Sequence, residues 1–151
     1  MANQQAIVEA AVALCDHDEA SLELQIGKID KATKTDPSIA DDPNPQIAYD
    51  GNTMGPIDDL RDIGRRITKK WAKVLHDIVC GDDEKNAEDR KKVLDSVGLG
   101  EVAMIGAVAA ALSTLVTPAL AAPLAALIVK RFLPPVKEGI CEFWDEKLQS
   151  E

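Results

Sequence analysis

Hydrophobic positions along this chain recur at helical spacing, and no run alternates with the period of two that a half-buried strand requires. Ile7, Val8, Ala11, Leu14, Cys15, Leu22, Ile26 and Ile29 form one such stripe over residues 3–33. Asp18 falls on that stripe, and Asp and Ser are good N-caps, so a break near Asp18–Ser21 would divide the segment into two helices. Residues 57–80 carry the clearest pattern, with Ile57, Leu60, Ile63, Ile67, Trp71, Val74, Leu75 and Ile78 on one face. Asp58 and Asp59 suit the positive end of that helix dipole, and Gly81 suits its C-terminal stop. A short charged helix is expected over 83–97, capped by Asp82, anchored by Val93, Leu94 and Val97, and closed by Gly98. A final helix is expected over about 135–149, with Val136, Ile140, Phe143, Trp144 and Leu148 as its apolar face.

Between the last two lies a block of another kind. Residues 102–129 hold no charged side chain and are bracketed by Glu101 and the pair Lys130-Arg131. The pattern predicts a first arm from Leu99 to Val116. Thr117 can cap a second arm with Pro118 at its first helical position, running from Pro118 or Pro123 to Leu133. Ile105, Val108, Leu112, Leu115, Leu120, Leu124, Leu127 and Ile128 supply the large apolar side chains of this hairpin. A helix that is apolar all round is a buried helix or a membrane span. As a two-pass hairpin the second arm is short; as one kinked span residues 99–131 are ample, at about 20 residues per crossing. The amphipathic helices around the block tip the choice toward a soluble resting fold, because each needs an apolar surface to cover. The expected fold is all-α: a single bundle of five to six helices around a central hydrophobic hairpin at 99–133.

Residues 35–56, TDPSIADDPNPQIAYDGNTMGP, read as a Pro-rich loop between an acidic N-terminal helical region (1–34) and a helical core (57–149). Pro37, Pro43, Pro45 and Pro56 remove backbone donors. A loop of this length in a compact domain is usually functional or mobile. It is either a tether across the surface or a cleavage site.

Charge sharpens this division. The net charge is −9, and residues 1–59, with 3 Lys/Arg and 12 Asp/Glu, carry all of it. The remainder balances to zero. On helix 57–80, opposite the apolar face, stand Arg61, Arg65, Arg66, Lys69, Lys70 and Lys73. Arg61, Arg65, Lys69 and Lys73 form a single i, i+4 ridge. With Trp71 at its apolar side, this is the physical type of a membrane-surface helix. It suits an anionic membrane surface or an acidic protein partner. The acidic remainder and the lack of a reader motif disfavour nucleic acid. Opposite charge would also favour the acidic N-terminal region lying over the ridge and screening it.

The residues that suggest chemistry are few. Cys15, Cys80 and Cys141 are far apart, odd in number and without a CxxC pair, which predicts reduced thiols and a cytoplasmic setting. His76 and Cys80 lie at i, i+4, but nothing fixes further metal ligands. There is no phosphate loop, paired-carboxylate signature or nucleophile elbow. The expectation is a non-enzymatic protein with no cofactor and no metal.

In layout alone, residues 57–149, an apolar hairpin inside amphipathic helices, resemble colicin-type pore-forming domains. That resemblance implies a latent membrane-active or membrane-associating effector, in which helix 57–80 meets anionic headgroups and residues 102–129 insert. The rival reading is a soluble protein–protein interaction or adaptor module whose hairpin is permanent core.

Overall fold

The computed structural model describes residues 2–134 and 136–150, with side chains from residue 4 onward. All regular structure among the described residues is helical: α1 (Ala2–Ala13), α2 (Glu19–Thr35), α3 (Gly51–Met54), α4 (Ile57–Cys80), α5 (Ala87–Ser96), α6 (Glu101–Leu112), α7 (Pro118–Phe132) and α8 (Ile140–Ser150). Two 3-10 turns, Pro37–Asp41 and Glu84–Asn86, complete it. The all-α expectation holds, but the count of five to six helices was low. Two local features add the rest. Asp18 does cap a new helix, its carboxylate accepting from the Ser21 amide at 2.7 Å, which separates α1 from α2. Asp50 does the same for the single turn α3 by accepting from the Asn52 amide.

Helix α7 lies at the centre. It packs against α1, α2, α4, α6 and α8 and against the 3-10 turn at 37–41. Every residue from Ala121 to Val129 is buried. Pro123 sits inside the helix without ending it. One backbone donor is lost there, and the helix continues because its neighbours hold it on every side. Burying Leu124, Leu127, Ile128 and Phe132 stabilises the fold by about 1.5–3 kcal/mol for each side chain. Of the expected hairpin residues, Ile105, Val108, Leu112, Leu124, Leu127 and Ile128 are fully buried, and Leu120 is half-buried.

Leu115 departs from the reading: it is 38% exposed. The first arm ends at Leu112 rather than Val116, because Ser113 and Thr114 turn their hydroxyls back onto the carbonyls of Ala110 and Ala111. Such local bonds compete with helix propagation. The arms are therefore 12 and 15 residues long. At 1.5 Å per residue they measure about 18 and 22 Å, against a hydrocarbon core of about 30 Å. No helix among the described residues is long and apolar enough to cross a membrane.

The stretch 35–56 is tied down along its length. Asp36 caps the first 3-10 turn, Pro45 is buried, Lys28 Nζ donates to the Ile47 carbonyl at 3.0 Å, and the Tyr49 hydroxyl donates to the Gly55 carbonyl at 2.6 Å. Other expected termini move. Asp83, not Asp82, caps the turn before α5. Gly98 does close that region, with φ +95°. The expected start of the last helix at Pro135 lies outside the described residues. That helix begins at Ile140, which leaves Val136 59% exposed on the connector and Phe143 37% exposed on its outer face.

Candidate interaction site on the basic helix

The apolar face of α4 is centred elsewhere than its largest hydrophobic residues suggest. The buried line is Leu60, Gly64, Thr68, Ala72, Leu75 and Val79, while Ile63, Ile67, Trp71, Val74 and Ile78 flank it half-buried and Ile57 is exposed. Two glycines cause the shift. A Cβ on Gly64 would stand 2.1 Å from the Glu23 carbonyl oxygen, and one on Gly27 would stand 2.1 Å from that of Leu60. Helices α2 and α4 thus cross backbone to backbone, as small residues at a helix interface allow.

That crossing delivers a carboxylate to the basic ridge. Glu23 is 1% exposed as a residue. Its Oε1 accepts from Arg61 Nε and Nη2 at 3.2 and 3.1 Å and from Arg65 Nη1 at 3.4 Å. Its Oε2 accepts from Arg131 Nη2 at 2.7 Å, and Arg131 Nε donates to Glu19 Oε1 at 2.7 Å. Adjacent on α7, Lys130 Nζ donates to Glu101 Oε1 at 2.7 Å and to the Cys15 carbonyl at 2.6 Å. Carboxylates from α2 and α6 therefore hold both cations that end the apolar block, and α2 also holds the first two cations of the ridge. Burial alone would lower the Arg131 pKa; the hydrogen bonds and charges of Glu23 and Glu19 outweigh it, and the net shift is upward.

The rest of the ridge faces outward. Arg66 pairs with Asp62 at 2.8 Å. Lys70 lies over the Trp71 ring at 5.3 Å, within cation–π reach. Lys69 and Lys73 line a surface recess of about 340 Å³ with His76, Asp77, Asp145, Leu148 and Gln149. A neighbouring recess of about 390 Å³ is lined by Asp62, Arg65, Arg66, Lys69 and Ser150. Asp62, Asp77 and Asp145 offset much of the positive charge there. The six ridge residues are thus on one helix as expected, but they are not equivalent: Arg61 and Arg65, though partly exposed, reach inward to the buried Glu23, and the others lie on the surface.

At the far end of α4 the cysteine reading is overturned. Cys80 and Cys141 form a disulfide, with Cα atoms 5.8 Å apart. Their separation of 61 residues hid the pairing; the fold sets the end of α4 beside the start of α8. Cys15 is the free cysteine, half-buried. His76 Nε2 lies 3.3 Å from the Cys141 carbonyl, and its ring meets Trp144 edge-on at 5.5 Å. Trp144 is fully buried, and its Nε1 has no hydrogen-bond partner among the described residues. No group of three or more His, Cys, Asp or Glu placed to hold a metal occurs among the described residues.

Residue reading missed Glu23, Glu19 and Arg131 as a unit. The available signal was Glu23 itself, which shares a helical face with Leu22, Ile26 and Gly27. A carboxylate on a core-facing stripe requires a cationic partner. Family models, curated proteins and solved structures offer no match to this chain.

Proposed function

We propose that this chain is a non-enzymatic, latent membrane-associating protein that stores an apolar hairpin inside its resting fold. The observation that carries this reading is the acidic clamp. Glu19 and Glu23 hold Arg131 and the start of the α4 ridge, and Glu101 holds Lys130. Protonating or displacing these carboxylates would free Arg61 and Arg65 for anionic headgroups and unfasten the charged end of α7. The membrane mode is in-plane insertion of apolar faces at the headgroup–acyl boundary, since α6 and α7 are too short to span. The partner is an anionic membrane surface, and no cofactor enters.

Flotation with vesicles and dye release test it, using the full chain, vesicles with and without anionic lipid, and neutral and acid pH. Binding and leakage confined to anionic vesicles, and stronger in acid, are expected. Failure to bind or leak under every condition would sink the reading.

A second reading has its own support. The α7 surface is so completely paired that the hairpin serves as permanent core in a soluble interaction module. An acidic protein segment would then dock on the outward cations Arg66, Lys70 and Lys73. Charge reversal at Lys70 and Lys73 would abolish such docking and leave the helical circular dichroism unchanged.

A further inference from the structure

Helix α8 is lightly embedded. It packs on α4 and α7, and its buried side chains are Ile140 and Trp144, with Leu148 half-buried. Glu142, Phe143, Asp145, Glu146, Lys147, Gln149 and Ser150 face solvent. Residues 136–139 leading into it are exposed, and Gly139 has φ +71°. Its side of the interface also holds a buried indole N–H without a partner among the described residues, which release into water would satisfy. Against this stand the His76 contacts to Cys141 and Trp144, the Lys137–Asp95 ion pair on the connector, and one covalent bond, Cys80–Cys141, at the point where α8 begins.

We propose that the Cys80–Cys141 disulfide is a redox latch on α8: oxidised, it holds Trp144 in the groove between α4 and α7; reduced, it lets α8 leave while the remaining bundle stays folded. The proposal goes beyond the membrane reading and does not depend on it. The reductant is a dithiol. Its thiolate attacks one sulfur of the pair, the Cys80–Cys141 bond breaks, and the other cysteine leaves as a thiolate. The second thiol of the reductant then displaces the mixed disulfide. The reductant ends as a disulfide, two electrons pass to the protein, and each protein thiolate takes a proton from solvent. Separation follows because the bond confines α8 to its groove at high effective concentration. Without it, α8 is tethered through a short exposed connector and retained by Ile140, Trp144, half-buried Leu148 and the His76 contacts. Helix α2 is different: its glycine crossing and its ion cluster do not change with redox state.

The test is amide hydrogen exchange on the full-length protein, air-oxidised and then treated with dithiothreitol, with thiols counted by alkylation. On reduction, exchange protection over 140–150 should fall at least tenfold, while α2, α4 and α7 keep theirs. The Cys141→Ser variant should show the same loss without reductant. In a Trp71→Phe background the emission of Trp144 should shift to the red on reduction. Three results would overturn the proposal: new thiols with α8 protection unchanged, a fall in protection across all helices together, or Cys80 and Cys141 found as free thiols in the air-oxidised protein.

Discussion

In its N-terminal half α4 meets α2 backbone to backbone, through Gly64 and Gly27, beside a carboxylate shared among three arginines; in its C-terminal half it meets α8 through a disulfide, the His76 contacts to Cys141 and Trp144, and a small apolar face. One helix is thus fastened by two unlike means. The first depends on shape and charge complementarity along several turns, so it fails only when the packing fails. The second rests on few buried side chains and one covalent bond. A helix interface with many small contributions resists local opening, whereas one with few buried contacts opens at low cost.

The contrast can be broken most strongly at the crossing. Gly64→Ala and Gly27→Ala would each gain about 1 kcal/mol of helix propensity. They would lose more by forcing the backbones apart, for a net cost of about 2–3 kcal/mol, read as a lower urea midpoint. Next comes Glu23→Gln, which keeps the shape and removes the charge opposite Arg61, Arg65 and Arg131. Arg61 and Arg65 are 36% and 44% exposed and can be partly rehydrated, so the cost is about 2 kcal/mol rather than the full penalty of a buried unpaired charge. Comparable is Ile140→Ala. It removes a buried apolar anchor of α8 and should lower exchange protection over 140–150 first, with a cost of about 2 kcal/mol in the urea midpoint. Arg66→Ala removes an exposed ion pair and should stay within about 0.5 kcal/mol in the same urea titration.

The pH response sharpens the same comparison. Because the folded Arg131 pKa is raised, its contribution is complete below the ordinary arginine value and is lost only as pH climbs through the raised one. Arg131 therefore stays charged at every working pH, and the clamp keeps this cation throughout. Removing the charge at Glu23 should weaken the α2–α4 half, and a dithiol at neutral pH should weaken the α4–α8 half. Exchange measured separately under the two conditions would merge the two responses if the halves were one cooperative unit.

The hydrophobic periodicity of the chain revealed the helices and the enclosed hairpin because the amphipathic helices around Ile105, Val108, Leu112, Leu124, Leu127 and Ile128 needed an apolar surface to cover. It misplaced the buried face of α4 because Gly64, Thr68 and Ala72 add little to a hydrophobic stripe, although their small size lets another backbone approach. It overestimated the first arm because Leu115 and Val116 are as apolar as their neighbours, while the stop comes from the hydroxyls of Ser113 and Thr114. It identified the ridge cations but not which of them reach the buried Glu23, since that depends on where Glu23 and Arg131 arrive in space. The disulfide lay beyond reach for the same reason: two cysteines far apart in sequence meet only after the helices have packed.

An alanine–leucine rod such as α7 has little along its length to mark position; displaced by one turn, about 5.4 Å, it would present nearly the same oily surface to its surroundings. Lys130 and Arg131 act as an index mark. They are consecutive, yet one reaches Glu101 and the Cys15 carbonyl and the other reaches Glu19 and Glu23. A slip in either direction would unseat both together, so axial sliding of the rod has a single allowed stop.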